Sequence, residues 1–335
     1  MNSTSVVPKV DLINIGLILI SCIAAFIVPF ELFLFAYGVL GPLHYLTEIS
    51  WLHDKNYYST NKKDVILLVI ITLILTVVSL KNVLGLEDLN VPGYYINRLI
   101  YISFASALFF TFIKNNFLKI VGVVLVILLS AISDNYTLFF SIFLPTLIHV
   151  FLFTSLFMLY GALKSKSKTG VLSVAIHVLC PFLLFYLFPG KIGIEVTNYG
   201  KEAYNNFLGL NVEMLKLSNQ ANFTSQSQLF DTVYHSTTGV AIMRFIAYAY
   251  TYHYLNWFSK TEVIKWHKVP KKRLIIIAIA WAVSLILYGI DYSLGFKWLY
   301  LLSFMHVLLE FPLNYVSFVG IFKELRNFTL KTTPS

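Results

Sequence analysis

Ten stretches of this chain, at roughly 11–28, 30–52, 64–84, 93–113, 117–133, 137–163, 171–189, 230–258, 272–292 and 296–322, are apolar enough to cross about 30 Å of hydrocarbon as helices. The run at 117–133 is the weakest of them. Between these runs little chain is left over for a soluble domain. The sequence is 58% hydrophobic and only 12% charged, with a mean hydropathy of +0.74. A water-soluble domain of this length needs more charge to cover its surface. The expected fold is therefore all-α: a polytopic integral membrane helix bundle of about eight to ten transmembrane helices, with residues 1–335 forming a single transmembrane domain.

The net charge of +9 could suggest a nucleic-acid partner, but its distribution argues against one. When the helices are counted off alternately, Lys62 and Lys63, Lys114, the Lys164, Lys166 and Lys168 cluster, the Lys260–Arg273 stretch and Lys323 all fall on one side. Lys81, Arg98, Lys191, Lys201, Lys216 and Lys297 fall on the other. The positive-inside rule then places both termini in the cytoplasm. The basic balance reports topology, and no nucleic acid is expected as a partner.

The two cysteines, Cys22 and Cys180, both fall in apolar runs, so neither a disulfide framework nor a Cys-rich metal motif is expected. The first run leads almost directly into the second with no soluble domain to export, so it reads as a retained helix and not as a signal peptide. The one long connection, at about 190–229, lies on the external side by this count, where a lid or cap is expected. The stretch SKTEVIKWHKVPKKR at 259–273 reads as an interfacial segment, with basic residues for anionic headgroups and Trp266 at headgroup level.

Within the apolar runs stand residues that hydrocarbon does not tolerate without a reason. GPLHYLTEISWLH at 41–53 and LSFMHVLLEFPLN at 302–314 each place a histidine four residues before a glutamate: His44 with Glu48, and His306 with Glu310. An ionised side chain at mid-bilayer costs roughly 2.5–3.5 kcal/mol on insertion scales. Positions i and i+4 share a helix face, so each pair can present an imidazole nitrogen and a carboxylate oxygen toward one point. Those donor types suit iron, zinc or manganese. By the topology above, His44, Glu48, His149, His177, His253, His306 and Glu310 all sit between the middle and the cytoplasmic end of their helices, whereas His235 sits at an outer end. Pro42, Pro145, Pro181 and Pro312 each lie within four residues of one of these histidines or glutamates, where a kink can open a cavity.

The bland readings take some of these residues out. His177 reads as hydrogen-bonding glue between helices, and His53 and His267 as solvated residues near helix ends. His235, four residues after Asp231, fits an outer-surface pair as well as a ligand or proton site. His44, His149, His253 and His306 remain as candidates for a metal or haem. Arg244 lies mid-helix and cannot lose its charge, so it reads as a structural counter-ion needing a carboxylate or carbonyls. Tyr248 and Tyr250 read as walls of a pocket for a flat apolar ligand, and Tyr254 and Trp257 as aromatic belt.

GPLHYLTEI resembles the Gly/Pro-rich His-x-x-x-Asp segment of the membrane-embedded bacterial and archaeal beta-carotene dioxygenase family, the Brp/Blh group. AYAYTYHYLNWFSKT and the His306 segment look like that family's later histidine-bearing helices. The resemblance implies a non-haem iron, Fe2+, held by His44, His149, His253 and His306, which uses molecular oxygen on a hydrophobic carotenoid, isoprenoid or lipid that enters from the bilayer; in the family, carotene is cleaved to retinal. Glu48 stands in place of the family's aspartate. Glu48 and Glu310 are the expected catalytic carboxylates, orienting imidazoles or ligating a second metal. Two other readings of the same residues stay open: a haem-binding electron carrier with axial histidines, and a proton-coupled transporter in which the His/Glu pairs and Arg244 form a relay.

Overall fold

A computed structural model of the chain describes residues 3–55, 62–79, 81, 85–86, 91–186 and 194–332. The fold is all-α: 88% of the described residues are helical and none of them lies in a strand. Among the described residues six helices are long and apolar enough to cross a membrane, the mark of an integral membrane protein: Pro8–Ile27, Pro29–Asp54, Asp134–Ser165, Lys168–Tyr186, Lys271–Ile290 and Tyr292–Asn327. Gly93–Phe112 and the shorter apolar Asn116–Ser130 fall on two more of the expected runs. The ends of two other runs, at 82–84 and 187–189, lie outside the described residues.

Two regions differ from the expectation. The run at 230–258 is two helices, Gln226–His235 and Thr237–Ser259. Ser236 breaks them apart with an extended backbone (φ −75°, ψ 151°), and its hydroxyl accepts from the Gly239 amide at 2.9 Å, capping the second helix. The connection at 190–229 carries the helices Asn198–Tyr204 and Leu208–Leu217, the first capped by Thr197, whose hydroxyl accepts from Gly200 N at 2.9 Å. Residues 190–193 lie outside the described set.

The chain divides into two compact units. The first comprises Met1–His44, Val150–Pro270 and Ser317–Ser335. Its centre is Thr237–Ser259, which is buried on nearly every side and packs against Ser3–Ile27, Pro29–Phe35 and Lys168–Tyr186. Small residues on this helix, Gly239, Ala241, Ala247 and Ala249, let its neighbours come close. A Cβ at Gly239 would stand 2.1 Å from the Thr232 carbonyl oxygen, so no side chain fits there. Polar groups in this unit find partners across helices: the Asn14 carboxamide oxygen accepts from the Tyr252 hydroxyl at 3.1 Å and from the Ser259 hydroxyl at 2.9 Å.

The second unit comprises Tyr45–His149 and Lys271–Val316. Gly93–Phe112 packs against Lys62–Ser79, Asn116–Ser130 and Asp134–Phe143. Gly122 faces the Phe109 ring, which an added Cβ would approach to 2.6 Å. Asn115 starts the helix after it by accepting from the amides of Phe117 and Leu118, at 2.9 and 3.3 Å. Arg98 pairs with Asp134 at 2.8 Å and Arg273 with Asp54 at 2.6 Å, both outside the core. Phe117, Ile120 and Leu128 turn outward and are mostly exposed, as a face against hydrocarbon requires.

Candidate metal centre

Two of the candidate ligands follow distortions that their prolines help to impose. Residues Ala36–Leu40 form a π turn closed by Gly41 N–H to Ala36 O, just before Pro42 and His44. Leu144–Phe153 is a second π segment and contains both Pro145 and His149. Proline brings no N–H to the helix ladder. Beside Pro145 the backbone leaves helical geometry at Thr146 (φ −110°, ψ −107°), whose hydroxyl donates to Ile142 O at 2.5 Å. Single π turns of this kind recur at functional sites because they re-aim side chains within an otherwise regular helix.

In the first unit His44 and His253 meet. Their Nε2 atoms are 3.1 Å apart, and the rings cross at 77°. Nδ1 of His253 lies 2.8 Å from the Thr154 hydroxyl, which can accept its proton and leave the Nε2 lone pair facing His44. Tyr254 and Trp257 flank the His44 ring at centroid distances of 5.2 and 5.6 Å.

In the second unit His149 and His306 meet in the same way, with Nε2 atoms 3.2 Å apart and rings crossing at 73°. Glu310 Oε2 lies 2.8 Å from Nδ1 of His149, within ion-pair distance. Glu310 thus serves a histidine on another helix, whereas its spacing in the sequence pairs it with His306. Tyr45 stacks on His306 at 4.2 Å. Glu48 is buried close enough to Glu310 for the two carboxyls to feel each other's charge.

One ligand nitrogen from each of His44, His149, His253 and His306 lies within 4.8 Å of the others, and all four residues are buried. Such a group can hold a metal ion. With metal–nitrogen bonds of about 2.0–2.1 Å, neighbouring ligand nitrogens stand roughly 3.0–3.4 Å apart, and the two Nε2 pairs fall in that range. A simple hydrogen bond between imidazoles would have a similar length. What favours a metal is the outer atom of one ring in each pair: a hydroxyl at His253 and a carboxylate at His149 occupy the Nδ1 side, the usual support of a metal-bound histidine.

The other expected site residues fall elsewhere. Tyr248 is buried with its hydroxyl 2.6 Å from Nδ1 of His177, so His177 acts as the expected glue between Lys168–Tyr186 and Thr237–Ser259. Tyr250 is packed among the rings of Phe33, Tyr37 and Tyr254. Arg244 is buried with its guanidinium 4.0 Å over the Phe26 ring, a cation–π contact. Tyr254 and Trp257 are not belt residues; both are buried around His44. His53 is largely exposed beside Asp54. Thr154 and Tyr45 have no signal in the sequence, because a threonine or tyrosine in an apolar run is ordinary and their partners lie far along the chain.

No protein-family model, no curated protein and no solved structure matches the chain.

Proposed function

We propose that this protein is a membrane-embedded non-haem iron oxygenase acting on a hydrophobic substrate, a carotenoid or another isoprenoid or lipid, with cleavage of beta-carotene to retinal as the first reaction to test. The observation that carries the reading is the buried group of four histidines, two of which have an oxygen group against the outer ring nitrogen. His44, His149, His253 and His306 would hold the iron. Neutral imidazoles leave a bound Fe2+ its charge and open positions, and the chemistry it supplies there is the activation of molecular oxygen.

The chain's own groups do the rest. Thr154 and Glu310 set the orientation of His253 and His149. Tyr45, Tyr254 and Trp257 surround His306 and His44 with aromatic carbon and keep water from the ring nitrogens. Glu48 supplies a second buried carboxyl near Glu310 that can hold or move a proton. The substrate enters laterally from the bilayer, consistent with a site built on apolar spans. By the distribution of lysines and arginines the protein lies in the cytoplasmic membrane with both termini inside.

The test combines metal analysis and an optical spectrum of the purified protein with feeding of beta-carotene and other isoprenoids to expressing cells, with and without air. Bound iron and an aldehyde or other oxygenated product formed only in air are expected. A Soret band would replace this reading with the haem carrier. Product formed without oxygen, or full activity after metal removal, would end it.

A further inference from the structure

A second site lies in the first unit, away from the histidines. A half-enclosed cavity of about 360 Å³ opens where several helices end, within the size range of ligand pockets of about 300–1,000 Å³. Asp11 stands near the start of the span Pro8–Ile27, Lys164 near the end of Asp134–Ser165, and Lys260 directly after Thr237–Ser259. Three helix ends at one cavity put it at the level of a membrane interface.

The walls are mostly apolar, with Phe157 and Ile264 among them. The cationic groups among them are the two lysines. Lys260 Nζ lies 4.4 Å from the centre of the Phe157 ring, and Lys164 Nζ lies 5.5 Å from that of Tyr160. Neither lysine has an ion-pair partner among the described residues. The carboxylate of Asp11, the one acid lining the cavity, is engaged by the Ser167 hydroxyl. Burial pushes the Lys260 ammonium down to about 7, and the charge of Asp11 only partly offsets this. A cation held in an apolar wall is stabilised by an anion brought to it.

We propose that this cavity binds one anionic phospholipid, with an acyl chain along the apolar wall and the phosphate on Lys164 and Lys260. The charge complementarity decides the headgroup. A phosphate oxygen replaces the water that Lys260 has lost, while a choline headgroup would bring a like charge beside both lysines. The site is independent of the iron reading, and neither stands or falls with the other.

The experiment is native mass spectrometry of the full chain in detergent, with phosphatidylglycerol, with phosphatidylcholine of the same chains, or with inorganic phosphate. Phosphatidylglycerol should stay bound about tenfold more strongly than phosphatidylcholine, and the K164Q/K260Q variant should lose about that factor, the scale of one charge-assisted contact. Gly161 lines the same cavity, and a Cβ added there meets nothing within 4 Å. Gly161→Trp therefore obstructs the apolar wall with both lysines intact, and it should lower retention too. Circular dichroism on each variant separates lost binding from lost fold. Equal retention of the two lipids, or retention unchanged in both variants, overturns the proposal. Phosphate displacing the lipid while Gly161→Trp has no effect also overturns it, since the site would then take the ion alone.

Discussion

Glu310 illustrates how much one side chain can decide. Its oxygen lies 2.8 Å from Nδ1 of His149, and the charge there favours a proton on that nitrogen and a lone pair on the other. Glu310→Gln keeps the size and an acceptor but removes the charge. Metal affinity, read by chelator competition, should fall about 10- to 100-fold, the usual effect of losing such support. Alanine at His44, His149, His253 or His306 should each strip most of the metal from purified protein. Alanine at His53, whose ring is largely in solvent, should leave it in place; equal loss at all five positions would point to misfolding. The four histidines are legible in the sequence because an ionisable ring in an apolar run is costly and therefore conspicuous. Thr154 and Tyr45 are not, since neither is costly there. Tyr254 and Trp257 mislead for the opposite reason: a position near a helix end reads as interface, and only the packing of other helices shows that they are buried.

At the scale of the element, the π segments turn two ordinary apolar helices into ligand mounts. Pro145 lies inside Leu144–Phe153, four residues before His149, and the backbone break at Thr146 adjoins it. Pro145→Ala restores an amide donor and permits a regular ladder, which would rotate His149 out of its present direction. Bound metal should drop by about tenfold with all four ligands still in the chain. Pro181→Ala, in the helix that carries His177, should leave the metal content unchanged. Proline positions in the sequence signal where a helix is disturbed, but not whether the disturbance is a kink or a π turn. The helices within 190–229 and the break at Ser236 escape a hydropathy reading because ten-residue elements are shorter than the window that defines a span.

At the scale of the whole molecule, the asymmetry of basic residues gives a direct expectation. A reporter after Ser335 or in the Lys164–Lys168 cluster should read cytoplasm, and one near Asn222 should read outside; the reverse pattern would undo the common depth of the histidines. The all-α membrane architecture follows from the apolar runs alone. The division into two compact units does not, because three of its boundaries, at His44, His149 and Val316, fall inside continuous helices, and the fourth, at Pro270, falls in a short connection like any other. One feature of the first unit bears on how the protein is made. Thr237–Ser259 is buried on most sides and carries Arg244, Thr251, Asn256 and four tyrosines, and it is not among the six helices that are both long and apolar enough to cross a membrane. Left alone in a bilayer it would be a poor insertion substrate. Its main partners, Ser3–Ile27, Pro29–Phe35 and Lys168–Tyr186, are all synthesised before it. Biogenesis can therefore deliver this helix into a cleft already assembled from earlier parts of the chain, so that translation order stands in for the hydrophobicity that the segment lacks.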